Sequence, residues 1–434
     1  MTDAPLAAWW PLIENARWFG GKGLAATFES MTALPWLTPA GALPAVRAEV
    51  ATVRYADGRH ELYALLVGYT DNPTTEVILH LDDPDLGAVA AVEAVADPAC
   101  MMALLRALVA PDHPAMEWLD NSAIEPTTDT RVWAGEQSNT TVTLGLDRMF
   151  KLFRKVEAGR NLDVEVLAAL NGSGVTPDLY GALLGDLPGV GRTDLGMFVQ
   201  RVQNVRDGWE WACEACADDR DITAEASQLG GALRAVHARL AQAFGTSVVP
   251  GAEVAGVIAD RFDAAENQVN ELKAVRAAVR PALLALVDVD LVVQRVHGDF
   301  HLGQVLRSAN GWTIIDFEGE PLKTLDERRR PDSVWRDVAG MLRSFDYVRG
   351  AHPDPTSAQA SAWSSAAQAA FLAGYCEEAA PDRPVLDAYV LDKAVYEVVY
   401  ETRNRPKWVH IPLGAVHDVA RRTALSPTHD SKEN

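Results

Sequence analysis

The sequence predicts an α+β fold with strands in its first half and helices in its second half. Up to about residue 202, short runs rich in β-branched and aromatic residues lie between turn residues, and two of these runs flank Asp57-Gly58, a strong hairpin signal. From about residue 223 onward, apolar residues recur every three or four positions and alanine is frequent, which is typical of amphipathic helices. Elements segregated in this way form separate layers, and a functional site is expected at their junction.

The elements are predicted in chain order. A short helix at residues 9–16 precedes strand-like runs at residues 46–55, 60–69, 131–134, 140–145, 149–153, 175–184 and 193–202. The apolar segment 88–109 is predicted to form one or two helices, broken near Pro98. Further helices are predicted at residues 223–244, 254–287, 334–347, 357–379 and 385–403. These elements predict a small α+β unit at residues 1–87, the rest of the strand-rich lobe at residues 88–202 and a helical lobe at residues 203–434.

Composition and charge exclude several classes of protein. The chain of 434 residues has ordinary globular composition, with 48% hydrophobic and 23% charged residues. Its net charge of -21 argues against binding to nucleic acid or to an anionic membrane, because their phosphates would be repelled. Four cysteines in a chain of this length do not form a disulfide framework, and neither a secretory signal nor a membrane-spanning stretch is evident, so a cytoplasmic protein is expected.

Residues 296–320 carry the groups that phosphoryl transfer from a nucleotide requires. They read VHGDFHLGQVL, then a polar turn, then a strand-like run that ends in TIIDFEGE. Asp299 is predicted to accept the proton of an attacking hydroxyl, and Gln304 and Asp316 are predicted to hold Mg²⁺ against the phosphates. Together with His297 they match the kinase-type spacing of H-x-D, four residues, an amide and a strand that ends in Asp. The alternative is a hairpin with incidental acids.

A cationic contact to the nucleotide is predicted at Lys151. This residue lies in FKLF, between bulky apolar residues of a strand, so its ammonium group must find an anion or leave the sheet. Glu165 lies on the following predicted helix, and a strand lysine paired with a helix glutamate is the kinase arrangement for holding the α- and β-phosphates. The alternative is an exposed lysine and a solvated glutamate.

Two further segments are predicted to contact ATP. Ser138, Asn139 and Thr140 belong to a turn of small polar residues between two strands, and the backbone N–H groups of such a turn can lie over a triphosphate. The run 193–202 leaves the strand-rich half, where the edge of the adenine would meet backbone groups, and the segment from Gln200 to Val202 is the predicted hinge. The alternative for the first segment is a plain hairpin turn.

The chain resembles the actinobacterial maltokinase-like sugar kinases, which include glucosamine kinases and belong with the aminoglycoside phosphotransferases and protein kinases. The motifs that carry the resemblance are HGDFHLGQVL, IIDFEGEP, ERRRPDSVWRDVAGMLRSFDY and YETRNRPKWVHIPL. The resemblance extends over nearly the whole chain and implies a bilobal protein-kinase-like fold with an extra N-terminal cap subdomain. By position it implies Asp299 as catalytic base, Gln304 and Asp316 as Mg²⁺ ligands, and ATP as phosphate donor. Gln304 stands where the wider fold usually has Asn.

The late motif YETRNRPKW is expected to bind a sugar substrate. The indole of Trp408 can lie against a sugar face, and Glu401 and Arg405 can bond its hydroxyls. Asp299 and His301 complete the predicted substrate contacts. The alternative is an amphipathic helix that ends with a buried tryptophan.

The predicted substrate is D-glucosamine, converted to glucosamine 6-phosphate. An ammonium on the sugar needs a nearby carboxylate, and spare acids are present at Asp207, Glu210, Glu214 and Glu401. Maltose, converted to maltose 1-phosphate, is the first alternative; an aminoglycoside-type phosphotransferase and a catalytically dead nucleotide-binding module are the others. The intact set of predicted catalytic residues argues against the dead module, and YETRNRPKW argues against an antibiotic enzyme. The small-molecule sugar is the predicted partner, and a monomer or weak dimer is expected.

Overall fold

The computed structural model describes residues 3–135, 138–320, 323–377 and 379–425. These residues fall into two compact units, one within Met1–Asn171 and Pro177–Gln203 and the other within Gly172–Thr176 and Asn204–Asn434. The first unit holds two six-stranded sheets, and the second is built mainly from helices. The predicted α+β class is therefore confirmed. The finer division at residue 87 stays a prediction.

Two antiparallel sheets and three helices make up the first unit. Its elements are α1 (Asp3–Glu14), β1 (Ala26–Trp36), β2 (Ala45–Tyr55), β3 (His60–Thr70), β4 (Val77–Asp83), β5 (Gly87–Glu93), α2 (Pro98–Leu108), β6 (Met116–Trp118), β7 (Thr130–Val132), β8 (Thr140–Leu144), β9 (Arg148–Leu152), β10 (Lys155–Val156), α3 (Leu162–Leu170), β11 (Leu179–Leu187) and β12 (Gly191–Gln200). The strands are ordered β1-β2-β3-β5-β4, with β10 beside β3, in the first sheet and β6-β11-β12-β9-β8-β7 in the second.

The hairpin between β2 and β3 forms as the sequence predicts. Gly58 sits in its turn with a φ of 87°, a conformation that glycine adopts at little cost. One face of the first sheet buries large apolar side chains, including Tyr63 and Leu65, against Trp9 and Ile13 of α1. This burial gives the N-terminal part of the chain a hydrophobic core.

The segment 88–109 differs from its prediction as one or two helices. Its first part is strand β5, and only Pro98–Leu108 is an α-helix. The alanines of the segment favour a helix locally. However, β5 is hydrogen-bonded to β3 on one edge and to β4 on the other, and the side chains of residues 89–92 are buried. Pairing on both edges is a tertiary effect that outweighs the local preference.

Arg154, just after β9, joins the two sheets of the first unit. Its side chain is only 1% exposed. Its guanidinium donates from Nε to Thr140 Oγ1 at 2.7 Å and from Nη1 to the carbonyl of Ala64 at 3.4 Å, and it forms an ion pair with Glu93. A buried guanidinium with this many acceptors fixes the end of β9 relative to β3 and β5.

The second unit is mainly helical. Its elements are β13 (Arg206–Asp207), α4 (Gly208–Ala217), α5 (Thr223–Phe244), β14 (Thr246–Pro250), α6 (Gly251–Glu266), α7 (Asn270–Val287), β15 (Asp290–Gln294), β16 (Val305–Ser308), β17 (Gly311–Ile314), α8 (Leu325–Arg329), α9 (Trp335–Ala351), α10 (Ala358–Cys376), α11 (Arg383–Asn404) and α12 (His410–Leu425). The bounds of α5 are those that the spacing of its apolar residues predicts. None of the helices that the structure describes has both the length and the apolarity needed to cross a bilayer.

Helices α5 and α10 pack closely because each has a glycine at the contact. A Cβ added to Gly230 would lie 2.1 Å from the carbonyl oxygen of Phe371, and one added to Gly374 would lie 1.9 Å from that of Ser227. A larger residue at either position would force the two helices apart. This contact fixes α5, which carries His237 toward the loop described next.

Candidate active site

The loop between β15 and β16 presents Asp299. Gly298, which precedes it, has a φ of 87°, so the tight turn here favours glycine. The backbone N–H of Asp299 donates to His297 Nδ1 at 3.4 Å, and His297 Nε2 lies 3.0 Å from the carbonyl oxygen of Ile315. The Asp299 side chain itself is 21% exposed. The carboxylate of Asp299 is therefore partly exposed to solvent, and the buried side chain of His297 holds the loop that carries it.

A buried carboxylate, Asp337 at the start of α9, fixes this loop. It accepts hydrogen bonds from the N–H groups of His297 at 2.7 Å and Gly298 at 2.9 Å, and its Oδ2 lies 2.9 Å from Nε2 of His237. Burial raises the pKa of Asp337, but hydrogen bonding to His237 and to the backbone lowers it below its ordinary value. Asp337 was missed by the sequence analysis, although it lies in the motif DSVWRDVAG that carried the resemblance.

Lys393 on α11 contacts the predicted base and was also missed. Its Nζ lies 3.3 Å from Asp299 Oδ1 and 3.7 Å from Glu320 Oε1. Burial alone would lower the pKa of Lys393, but the carboxylates of Asp299 and Glu320 raise it above its ordinary value. A charged ammonium group therefore stands beside the carboxylate that was predicted to take the proton.

The structure brings the two predicted metal ligands together. Gln304 Nε2 donates to Asp316 Oδ2 at 3.1 Å, and the N–H of Ile315 donates to the carbonyl oxygen of Gln304 at 3.0 Å. Asp316 follows β17 with a φ of 65°, in the left-handed region that costs energy for a residue other than glycine. Strain of this kind persists where the surrounding structure imposes it, commonly at functional sites.

The donor set of this pair fits a hard divalent cation. A carboxylate and an amide oxygen are ligands that Mg²⁺ accepts, and Gln304 uses its amide nitrogen for the bond to Asp316, which leaves its amide oxygen to act as a ligand. The assignment of Gln304 and Asp316 as Mg²⁺ ligands stays a prediction.

Lys151 forms an ion pair with Asp163. Lys151 Nζ on β9 lies 2.8 Å from Asp163 Oδ2, and the Asp163 side chain is 2% exposed. Asn161 caps α3 by accepting from the N–H of Asp163, which places this carboxylate in the first turn. The sequence analysis had named Glu165, two residues later, as the partner. The observed partner is thus a residue that the prediction missed, and the role of Glu165 stays a prediction.

The predicted polar turn before β8 is held by Arg154. Asn139 Oδ1 accepts from the N–H of Arg154 at 3.1 Å, and Thr140 Oγ1 accepts from its Nε. Ser138 Oγ lies 3.5 Å from Asn139 Nδ2. Glu136 and Gln137 of the same turn lie outside the described residues. The side chains at 139 and 140 thus serve the turn itself, and contact of its backbone with ATP stays a prediction.

The predicted hinge begins where β12 ends. Gln200 is the last residue of β12, is exposed, and pairs through its backbone N–H with the carbonyl oxygen of Asp178 at 2.8 Å. Val202 is partly buried in the segment that follows. Adenine binding at Gln200 and Val202 stays a prediction.

Three predicted sugar contacts form a network near the end of α11. Glu401 is 1% exposed and accepts from Tyr347 Oη at 3.0 Å and from Arg405 Nη2 at 2.6 Å. The Arg405 guanidinium lies 5.1 Å from the centre of the Trp408 ring, and Trp408 stacks on Tyr347 at 6.0 Å. The carboxylate of Glu401 is therefore buried and bound to Tyr347 and Arg405, whereas Arg405 itself is exposed.

An aromatic strip joins this network to Lys393. Tyr396 and Tyr400 are 41% and 42% exposed and stack on one another at 6.5 Å. Lys393 lies 5.5 Å from the centre of Tyr396, and Arg405 lies 5.7 Å from the centre of Tyr400. Exposed aromatic faces beside charged groups suit a ligand with both apolar faces and hydroxyls.

The remaining predicted substrate residue, His301, begins the short helical turn that leads to Gln304. Its Nδ1 accepts from the N–H of Gly303 at 3.1 Å, and its Nε2 lies 3.9 Å from Asp299 Oδ2. Burial lowers the pKa of His301 below its ordinary value. A sugar contact at His301 stays a prediction.

Three of the four acids that favoured an amino sugar are engaged in other contacts. Asp207 caps α4 by accepting from the N–H of Glu210, and Glu214 pairs with Arg206 at 2.5 Å. Glu401 is bound as described above. These contacts of Asp207, Glu214 and Glu401 weaken the argument from spare acids.

Glu320 gives a prediction for pH-dependent stability. Its side chain is 11% exposed, and although burial opposes ionisation, Arg336, Lys393 and Lys323 lower its pKa to about 2. A lowering of the pKa from its ordinary value of 4.5 corresponds to about 3 kcal/mol of stability at neutral pH. Because the folded pKa is depressed, this stability is present above pH 4.5 and is lost as the pH falls toward 2.

We expect Glu320→Gln to lower the free energy of unfolding by about 3 kcal/mol at pH 7, with a difference from the wild type that shrinks below pH 4.5. Urea unfolding at several pH values measures it. Glu271→Gln, at an exposed site on α7, is the control and should change the free energy by less than about 0.5 kcal/mol. A difference that stays constant down to pH 3 would contradict the assignment.

Comparison with known proteins decides the family. The model of a phosphotransferase enzyme family matches residues 129–389, which include Lys151, Asp299, Gln304 and Asp316. The chain belongs to this family. The model of the maltokinase N-terminal cap domain matches residues 13–97.

Similar proteins include two glucosamine kinases. One from Streptacidiphilus jiangxiensis is 32% identical over 251 residues, which make up 50% of this chain and 56% of that protein. The match thus spans just over half of that relative. One from Mycolicibacterium smegmatis is 25% identical over 307 residues, or 65% of this chain and 77% of that protein.

The fold is shared with a solved phosphotransferase. A glucosamine kinase in complex with glucosamine, ADP and inorganic phosphate aligns with 95% of this chain and 99% of its own, with a TM-score of 0.69 and 23% sequence identity. The predicted protein-kinase-like α+β fold with an N-terminal cap subdomain is therefore confirmed.

Proposed function

We propose that this phosphotransferase is an ATP-dependent sugar kinase that converts D-glucosamine to glucosamine 6-phosphate. The observation that carries the proposal is the Asp299 carboxylate, held by a buried support and placed 3.3 Å from Lys393, in the same unit as the Gln304–Asp316 pair. One proton acceptor beside two oxygen ligands is the arrangement that direct phosphoryl transfer uses.

In the proposed reaction, Asp299 accepts the proton of the sugar hydroxyl. The sugar oxygen forms a bond to the γ-phosphorus while the bond from that phosphorus to the β,γ-bridging oxygen breaks, and ADP leaves. Lys393 and the Asp337-held loop orient the Asp299 carboxylate throughout. Mg²⁺ bound by Gln304 and Asp316 would neutralise charge on the phosphates.

The aromatic strip supports a sugar as acceptor. Tyr396 and Tyr400 offer exposed rings next to Lys393, so a sugar ring lying on them would bring a hydroxyl toward Asp299. Arg405, at the far end of the strip, would bond another hydroxyl. The hydroxyl that reacts is the one that reaches the carboxylate.

Glucosamine is favoured as the sugar because the similar proteins with assigned activity are glucosamine kinases. Maltose is the second candidate, because the N-terminal part of the chain matches the cap domain of maltokinases. The two differ in the product: a 6-phosphate from glucosamine and a 1-phosphate from maltose.

A screen of ADP release separates the candidates. The purified protein with MgATP is given D-glucosamine, maltose, glucose or an aminoglycoside, and the product is analysed by phosphorus–proton NMR. We expect turnover with glucosamine and a coupling from phosphorus to the C6 protons. Turnover of maltose with phosphate at C1 would identify maltose as the substrate instead of glucosamine. Turnover of the aminoglycoside alone would indicate an antibiotic phosphotransferase. The absence of ADP release with every acceptor would overturn the proposal.

A further inference from the structure

A polar cavity lies within the helical unit. Helices α9, α10, α11 and α12 enclose about 300 Å³. The charged residues that line it are four arginines and three aspartates: Arg343, Arg349, Arg383, Arg422, Asp346, Asp387 and Asp418. Neither Asp299, Gln304, Asp316 nor Lys393 lines it. The cavity is thus separate from the candidate active site, and its lining has one more arginine than it has aspartates.

Two of the four arginines that line the cavity have no carboxylate of the described residues at ion-pair distance. Each aspartate already has an arginine partner, in the pairs Arg343–Asp346, Arg422–Asp387 and Arg421–Asp418. By contrast, neither Arg349 nor Arg383 forms an ion pair with any residue in the described ranges. The guanidinium groups of Arg349 and Arg383 therefore carry charge that no described carboxylate at ion-pair distance compensates, and an anion is the ligand that they favour.

Two buried guanidinium N–H groups support the same conclusion. Arg343 is 1% exposed, and its Nη2 has no hydrogen-bond acceptor among the described residues. Nε of Arg349, one and a half turns further along α9, is likewise buried without an acceptor there. Buried N–H groups of charged side chains normally find an oxygen. An oxyanion in the cavity would supply it.

The opposite wall offers hydroxyl and amide groups. Ser361, Ser364 and Ser365 of α10 line the cavity, together with Gln368, whose Nε2 donates to Asp346 Oδ1 at 2.8 Å. Such groups both donate and accept, as sugar hydroxyls do. A volume of about 300 Å³ lies at the small end of ligand pockets and suits one sugar ring with one anionic group.

We propose that this cavity binds a small hydroxylated anion, such as a sugar phosphate or a sugar acid. The anionic group lies against Arg349 and Arg383, and the hydroxyls lie against the serines of α10. Binding at this site does not require that the proposed function be correct, because the cavity is lined by none of the residues that carry it.

A short series of charged side chains leads from the cavity to the candidate base. Arg343 Nε lies 2.9 Å from Glu397 Oε2. Glu397 is one turn beyond Lys393 on α11, and Lys393 contacts Asp299 at 3.3 Å. An anion that binds Arg343 competes with Glu397 for the guanidinium group. The negative charge of Glu397 is then less compensated, and its electrostatic effect on Lys393 increases. An anion bound in the cavity should therefore also change the rate of turnover.

The binding test uses isothermal titration calorimetry on the full chain with glucose 6-phosphate, glucuronate, inorganic phosphate and glucose. We expect saturable binding of the first two and none of neutral glucose. The cavity variants are Arg349→Gln, which removes the uncompensated charge, and Ser365→Leu, which fills the space. Each should raise the Kd at least tenfold. Arg239→Gln, at an exposed site on α5, is the control and should leave the Kd unchanged.

Each binding result leads to a different conclusion. Glucose 6-phosphate binding without glucuronate binding assigns a phosphate ligand, and the reverse assigns a carboxylate ligand. Binding that both cavity variants retain would take place elsewhere in the chain, and it would count against the proposal. The proposal is overturned if neither anion binds saturably up to about 10 mM, if glucose binds equally well, or if binding survives either cavity substitution in protein whose thermal unfolding shows that it is folded.

Discussion

Replacing Asp299 by Asn is expected to lower kcat by about 10³-fold while leaving the Kd for ATP within about twofold of the wild type. The amide has the shape of the carboxylate but cannot accept a proton from the sugar hydroxyl. Lys393 keeps its second carboxylate, Glu320 at 3.7 Å, so the loss of the charge at 299 should not unfold the site. Steady-state kinetics and fluorescence titration with a nucleotide analogue measure the two quantities.

The control for this experiment is Asp260→Asn, at an exposed site on α6, which should retain full activity. The assignment of Asp299 as base would be wrong if the Asn variant kept more than about a tenth of the wild-type kcat. A loss of ATP binding equal to the loss of kcat would instead indicate that Asp299 acts on the nucleotide.

Replacing Asp337 by Asn is expected to have the second largest effect, on stability and turnover together. The carboxylate accepts from the N–H groups of His297 and Gly298 and contacts His237. An amide has one acceptor oxygen and presents an NH₂ group to the remaining donors. Because hydrogen bonds to a buried charged group contribute about 1.5–3 kcal/mol each, we expect a loss of about 3 kcal/mol in the free energy of unfolding, measured in urea.

A double-mutant comparison separates positioning from general damage. If Asp337 acts by holding the loop that carries Asp299, the double variant Asp299→Asn, Asp337→Asn should have nearly the kcat of Asp299→Asn alone, since the base is already lost. If the double variant instead loses kcat by the product of the two single losses, Asp337 contributes to turnover by a means other than positioning Asp299. All rates are measured at a temperature where each variant is folded.

Much of the fold was predictable because its signals are local. The bounds of α5 follow from the helical spacing of its apolar residues, and the β2–β3 hairpin follows from Asp57-Gly58. The same holds for the pair of Gln304 and Asp316, since a short hairpin, β16 and β17, separates them and returns the chain. The strand β5 was not predictable, because only its two neighbours in the sheet override the helical preference of its alanines.

The ion pair of Lys151 with Asp163 is a contact that the sequence analysis did not name. A buried strand lysine requires an anion, and an acid on the next helix was correctly sought. Asp163 and Glu165 are two residues apart on α3, so they point in directions that differ by about 200°. How closely each carboxylate approaches Lys151 depends on how the helix is rotated against the sheet, and the structure places Asp163 Oδ2 2.8 Å from Lys151 Nζ.

The sequence by itself determined the class of chemistry: the order of base, amide and second carboxylate within 18 residues is encoded along the chain and places this protein with the phosphotransferases. Only the tertiary structure decided what surrounds Asp299, the predicted base. Lys393 lies 94 residues after Asp299, and Asp337 lies 39 residues after Gly298. Contacts over such separations depend on how α9 and α11 pack, and no local spacing or periodicity specifies that packing.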